Sequence, residues 1–292
     1  MSLSKKIDFA VIFKVVNANP NGDPLNGNRP RTIYEGNGEV SDVCLKRKIR
    51  NRLMEAGKAI FVQSDDSKND KHPSLKARAD EVLTGIKAPE DIAKKACETW
   101  FDVRAFGQLF AFKAAGKKSK GKEGEDSGDD KGVSIGIRGP VSMQSAFSIS
   151  PVSLTSTQIT KSVSGEGDGT KRGSDTMGMK HRVDRGIYSF YGSMNPQLSV
   201  KTGFSDDDAA AIKAVLPKLF ENDASSARPE GSMEVLKVVW WEHTGSKSGL
   251  ASSAKVHRSL TVSEDGDISF EPGKGPNDAT ENWPKPQVIE GV

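Results

Sequence analysis

Five of the seven residues from Lys46 to Arg52 are basic: Lys46, Arg47, Lys48, Arg50 and Arg52. On a helical wheel Lys46, Arg47 and Arg50 gather on one side of an apolar stripe, and Lys48 and Arg52 lie on the other. Like charges at helical spacing repel, so this crowding favours a nearby anion. The phosphates of a nucleic acid supply one, and each neutralised phosphate releases counterions. A solvated amphipathic helix is the plainer explanation of the same pattern.

Upstream lies Ala18–Arg31, ANPNGDPLNGNRPR, with three prolines, two glycines and four asparagines. Asn19 and Asn21 can bond base, sugar or phosphate without bringing charge, and Arg29 and Arg31 add phosphate donors. Glycines let backbone amides approach a phosphate. Alternatively, the Asn and Asp side chains cap their own turns. A third basic segment spans 153–182. It sets Lys161, Lys171, Arg172, Lys180, His181 and Arg182 around Met177 and Met179. Exposed methionines wedge between bases while charges hold the backbone; a plain basic loop has the same composition.

Signals for catalysis are weak. GEGDGTKRG resembles a phosphate loop, but Gly169-Thr170-Lys171 has the wrong order and no apolar strand leads into it. HExxH and a dinucleotide-type glycine motif are both missing. Asp23 is the one acidic residue inside the asparagine-rich loop. It serves either as a turn former or a partner that fixes Arg29 or Arg31, or it acts on an RNA 2′-hydroxyl or holds a metal. The two cysteines, Cys44 and Cys97, form no CxxC pair, and the four histidines are scattered. No metal or cofactor site is expected.

The elements that must position these residues begin with Asp8–Asn17, β-branched and aromatic, which predicts a buried strand. Ser41–Gly57 predicts a helix, capped by Ser41 or Asp42 and ended by Gly57, with Leu45, Ile49, Leu53 and Ala56 on one face. Residues 58–131 mix helical patterns such as Ala88–Trp100 with the aromatic run Phe101–Phe112. Gly116–Gly132 is charged and low in complexity, so a flexible loop is expected. Strand character returns at Val133–Ser150, broken at Gly139–Pro140, and at Ile187–Met194 and Met233–His243. Asp206–Phe220 predicts a helix that begins near Ser205. Beyond it only Ser259–Val262 and Ile268–Phe270 look extended. In order the strong elements read β, α, β, β, α, β, the ferredoxin-like sequence of an α+β fold with two large insertions.

The whole chain has 292 residues and a net charge of +3. The balance is uneven. Residues 1–63 hold eleven Lys/Arg against six Asp/Glu, and 259–292 hold two against seven. A basic start suits a polyanion, and an acidic end suits head-to-tail contact between copies. No apolar run reaches the roughly 18 residues of a membrane span, and Met1–Lys6 has no signal core behind it. A cytoplasmic location is expected.

NPNGDPLNGNRPR followed by VSDVCLKRKIRNRL resembles the backbone subunit of type I CRISPR interference complexes (Cascade), the Cas-seven family, and most nearly its subtype I-C. IGIRGPVSMQSAFSISPV, TKSV and MGMKHRVDRGIYSFYGSMNP fit the same family in order, so the resemblance spans most of the chain. Leu25 departs from it, since relatives often carry a second acidic residue there. The resemblance implies a right-hand-like shape. An RRM-like palm would comprise 1–57, 133–152 and 183–292, the fingers 58–132 with a flexible loop at 116–132, and a thumb hairpin 153–182. It places Asn19, Asn21, Arg29, Lys46, Arg47 and Arg50 on the palm, and Lys161, Met177, Met179, Lys180 and His181 on the thumb. It implies a non-catalytic subunit that stacks with further copies of itself along a CRISPR RNA. Each thumb would flip one nucleotide and leave its neighbours open to pair with target DNA. An RNA-end-capping subunit and a large subunit are the other implied partners. Related subunits of type III complexes cut RNA with an aspartate in a comparable loop, which keeps Asp23 as the alternative.

Overall fold

Ile7–Ala18 forms β1, a 12-residue strand at the centre of the molecule. Its side chains alternate between two apolar layers. Phe9, Val11, Phe13 and Val15 enter the main core, and Ala10 and Ile12 enter a layer on the opposite face. The computed structural model describes residues 2–112, 133–161, 177–245 and 248–292. The expected loop at 116–132 lies outside these described residues, as does the stretch between Lys161 and Met177.

After β1 come three short strands, β2 (Gly22–Asp23), β3 (Arg29–Pro30) and β4 (Asn37–Val40), and then helix α1 (Asp42–Glu55). Ser41 caps α1, its hydroxyl accepting from the Cys44 amide at 3.4 Å, and Gly57 follows the helix end at a φ of +78°. Leu45, Ile49 and Leu53 are buried in the main core. Ala56, expected on the same stripe, sits at the C-cap and is exposed.

The next stretch builds a core of its own. Its elements are α2 (Leu75–Leu83), α3 (Pro89–Thr99), α4 (Phe101–Phe106), β5 (Gly107–Phe112) and β6 (Val133–Arg138). Phe61, Leu83, Ala96, Trp100, Val103, Phe110 and Ile135 pack together there. The Phe61 ring lies 4.7 Å from Trp100 and 5.2 Å from Phe110, centroid to centroid. The sequence reading places β6 with the main core, yet β6 pairs with β5 and buries Ile135 in this second cluster. The excursion therefore closes at Arg138 rather than 132, because its last strand completes its own two-stranded sheet.

The chain returns through β7 (Val141–Met143), β8 (Ala146–Pro151), β9 (Leu154–Thr160) and β10 (Met177–Met194). At 18 residues β10 runs well beyond the strand expected at Ile187–Met194. Its later part pairs with β1, and its first seven residues pair with β9, from Met177 opposite Thr160 to Val183 opposite Leu154. There follow α5 (Pro196–Thr202) and α6 (Asp206–Val215), the latter opened by a Ser205/Asp208 capping box. The last elements are β11 (Met233–Glu242), α7 (Ser253–Arg258), β12 (Leu260–Val262), β13 (Ile268–Phe270) and β14 (Pro286–Glu290). The β14 strand starts on a proline and occupies a sheet edge, where its missing amide costs no ladder bond.

The main antiparallel sheet runs β14-β11-β1-β10-β8-β4, with β7 and β9 also paired to β10. Helices α1 and α6 contribute to the same layer as Phe9 and Phe13. On the other face Val256 of α7 and Leu260 of β12 pack with Ala10, Ile12 and Trp241. Both faces of the central strands are therefore covered.

A buried polar clasp ties the ends of this sheet to the covering layer. Asp8 accepts from His243 Nε2 at 2.8 Å, and His243 Nδ1 accepts from the Leu250 amide at 2.9 Å. This pairing fixes the proton on Nε2. Lys6 Nζ lies 3.4 Å from Asp8 and donates to the Ala251 carbonyl at 3.0 Å. Burial opposes ionisation of Asp8, but contacts with His243, His257 and Ser253 and the Lys6 charge outweigh it and hold the carboxyl well below its usual range.

Candidate nucleic-acid interface

The asparagine-rich loop is a rigid double turn. Gly22 pairs with Pro30 and Asp23 with Arg29 across a hairpin closed by Asn28 N donating to Asp23 O at 2.8 Å. Gly27 and Asn28 both hold φ of +59°, which glycine and asparagine tolerate best. A Cβ on Gly22 would lie 2.0 Å from Asn28 Oδ1, so a larger residue there would displace the Asn28 side chain.

Within this loop the asparagines act on the protein. Asn19 is buried and donates through Nδ2 to the Asn28 carbonyl at 2.7 Å. Asn21 Oδ1 accepts from the amide and hydroxyl of Ser41 at 3.0 and 2.8 Å, fixing the cap of α1. Asp23 accepts from the Leu25 amide at 3.2 Å and lies 3.5 Å from Arg31. It is the cap of a turn and a partner of Arg31. Among the described residues no group of three or more His, Cys, Asp or Glu is placed to share a metal ion. Arg29 is exposed and Arg31 half-buried.

The basic residues of α1 meet carboxylates and carbonyls of the same chain. Lys46 pairs with Asp42 at 2.9 Å, and Arg52 with Glu55 at 2.6 Å. Lys48, buried, pairs with Asp223. Arg50 Nε donates to Asp102 at 2.8 Å, and Arg47 donates to the Val62 carbonyl at 2.6 Å. Asp102 is buried and also accepts the amides of Phe61 and Val62 at 2.7 and 3.0 Å. Burial and the adjacent Arg50 charge together pull Arg47 below its ordinary value. The crowding that suggested an outside anion is thus met from within, by acids scattered from position 42 to 223. This network joins α1 to the second core. Arg104 and Asp208 do the same between α4 and α6, with bonds of 2.9 and 2.8 Å.

The β9–β10 hairpin presents the opposite picture. Met177 and Met179 are 67% and 54% exposed, and Lys180 is exposed beside them. His181 turns inward, its Nδ1 2.8 Å from the Ser156 hydroxyl. Lys161 follows β9 directly on the same hairpin. Cross-strand pairing sets Met177 opposite Thr160 and Met179 opposite Gln158.

Two exposed side chains escape a reading based on charge. Leu25 is 98% exposed at the first turn, and Tyr34 is 101% exposed at a second turn, between Thr32 and Gly38. The motif signal for Tyr34 is an aromatic flanked by a glutamate and two glycines in RTIYEGNG.

The family model described as CRISPR-associated protein Cas7 matches residues 5–282. The chain belongs to the Cas7 family. A curated relative, CRISPR-associated protein Cas7 of Haloferax volcanii, is 27% identical over 242 residues, which is 77% of this chain and 67% of the relative. A solved chain from a CRISPR RNA-guided surveillance complex, pre-nicking, superposes with a TM-score of 0.50 at 17% identity, covering 89% of this chain and 82% of that one. That likeness is one of fold. The family match takes in the double turn, α1, both cores and the β9–β10 hairpin, so the candidate interface lies wholly inside it. No helix among the described residues is long and apolar enough to cross a membrane.

Proposed function

We propose that this Cas7-family chain is a non-catalytic subunit that binds a CRISPR RNA and repeats along it as the backbone of a type I-C interference complex. The observation that carries the reading is the projecting β9–β10 hairpin, with exposed Met177, Met179 and Lys180, in a chain matched to the family over residues 5–282. In this reading 153–182 is the thumb, 58–138 the fingers and the remainder an RRM-like, ferredoxin-type palm. The strand neighbours β11-β1-β10-β8, with α1 after β1 and α6 between β10 and β11, support that palm.

The site residues divide by task. Arg29, Arg31 and Lys46 face phosphate, and Lys161 and Lys180 hold the backbone beside the thumb. Asn19 and Asn21 shape the loop, Arg47 and Arg50 fix α1 against the fingers, and His181 stiffens the hairpin through Ser156. Met177 and Met179 wedge between nucleotides, separating one from the next. A coat that grips sugar and phosphate leaves base edges free, so sequence is read by pairing with target DNA. Other copies of the chain, an RNA-end-capping subunit and a large subunit complete the particle. Copies repeat through a heterologous, non-closing contact. The acidic end, 259–292, is the proposed partner of a neighbour's basic surface.

The absence of catalysis is part of the proposal. Incubating the assembled complex with complementary RNA and a divalent cation tests it. Intact RNA is the expected result. Cuts at regular intervals that vanish in Asp23→Ala would replace this reading with an endoribonuclease.

A further inference from the structure

Tyr34 stands fully in solvent at the tip of a short turn, and that turn is anchored. Ile33 N donates to Asn37 O at 2.9 Å, and Gly36 N donates to Ile33 O at 3.0 Å. Gly36 O in turn accepts from Val152 N at 3.1 Å, and Asn37 pairs with Pro151 across β4 and β8. Leu154, the first residue of β9, is two positions beyond Val152. On the other side Arg31 is three residues before Tyr34, its amide bonded to Asn21 O at 3.1 Å and its carbonyl accepting from Glu39 N at 2.9 Å. A fixed tip therefore carries a fully exposed phenol ring between the root of the thumb and the arginine loop.

The chemistry around the ring selects its ligand. From Thr32 to Leu45 the chain has no lysine or arginine, and Glu35 and Glu39 are nearby in sequence. Phosphate is disfavoured at such a tip. A nucleobase is not, because it offers an uncharged π-face, and base–aromatic stacking tolerates every base. A protein partner would need a contiguous patch of many residues, whereas the other members of this four-residue turn, Ile33, Glu35 and Gly36, add only the 37% exposed Ile33 as apolar surface.

We propose that Tyr34 is a stacking platform for one base of the bound guide RNA, at the root of the thumb. This rests on the RNA-binding reading above and adds to it a contact that is neither charged nor sequence-selective. The ring holds a base on the palm side while the thumb methionines separate the next step, so the kink is gripped from both sides.

The test uses the full chain and an end-labelled, mixed-sequence single-stranded guide RNA with no DNA present. It is run on a short RNA that holds one copy and on a long one that holds several. Tyr34→Ala should weaken binding to the short RNA by about tenfold, within the range of a lost aromatic stack, and leave the salt slope unchanged. Tyr34→Phe should bind like the parent, since the ring is retained. The side chain is fully exposed, so neither change threatens folding. Unchanged affinity in Tyr34→Ala, while Arg29→Ala with Arg31→Ala still weakens binding, would overturn the platform and leave the RNA-binding reading standing. A loss seen only on the long RNA would overturn it too, and assign Tyr34 to contact between copies. Failure of the parent chain to bind either RNA would remove both claims.

Discussion

Helix α1 and the segment 153–182 each hold five Lys/Arg, and their described residues have opposite designs. In α1 every charge of the Lys46–Arg52 run has a partner in the chain, and Arg50 is only 12% exposed against a buried Asp102. On the hairpin Lys180 is exposed next to the exposed Met179, and all but one residue of β9 is exposed. Basic density in a sequence therefore reports two different things. Where acids converge in space it is mortar between two cores, and where a cation such as Lys180 stays exposed it is a surface for an anion.

That contrast is sharpest in stability. Arg50→Ala strands a carboxylate that is buried and bonded to Phe61 and Val62, and breaking such a pair costs about 3 kcal/mol. Met177→Ala with Met179→Ala removes mostly exposed atoms and should change stability by less than about 0.5 kcal/mol. Chemical denaturation of both variants checks the ranking; equal midpoints would dissolve the contrast.

Acid should act on the buried half of the molecule first. Asp8 has a folded pKa held below its unfolded value, so its contribution is complete above roughly pH 4 and is lost as pH falls toward the folded value. Asp70 behaves alike at smaller scale, lowered to about 2 by its hydrogen bonds to Arg78, though its exposure weakens the effect. Asp8→Asn should flatten the loss of stability between pH 4 and lower values. A titration curve identical to the parent's would show that the clasp does not govern acid unfolding.

In binding, the order reverses. Lys180→Ala should flatten the dependence of RNA affinity on salt by about 0.7 in log–log slope, the value of one phosphate on a single strand. Lys46→Ala tests the one α1 cation that is paired only at the surface, to Asp42. An equal flattening is expected there, since Lys46 is assigned to phosphate; no flattening would remove α1 from the interface and confine it to the loop and hairpin. The methionine pair should have the smallest effect on affinity, while altering which nucleotides react with single-strand probes. Unaltered probing patterns would take the wedge out of the account.

The sequence exposes some of this design and hides the rest for physical reasons. Local signals survive well: Ser41 and Gly57 bracket α1, Ser205 opens α6, and Gly139–Pro140 separates β6 from β7. Period and capping are properties of neighbouring residues. The ion partners are not, for Asp102 and Asp223 lie 52 and 175 positions from the residues they hold. For the same reason the pairing of β6 with β5 and the edge strand Pro286–Glu290 were out of reach. Asn19 and Asn21 were legible as important and not as to their partners, since an amide serves backbone or ligand equally. Tyr34 was visible as a letter but silent, because exposure is a tertiary fact.

The central claim is that copies of this chain coat a guide by its backbone. The most direct measurement is the mass of the particle purified from cells that also express a CRISPR array, with its nucleic acid sequenced. The account predicts a fixed number of copies on one guide RNA of defined ends. A particle free of RNA, or one carrying random transcripts with no fixed number of copies, would contradict it.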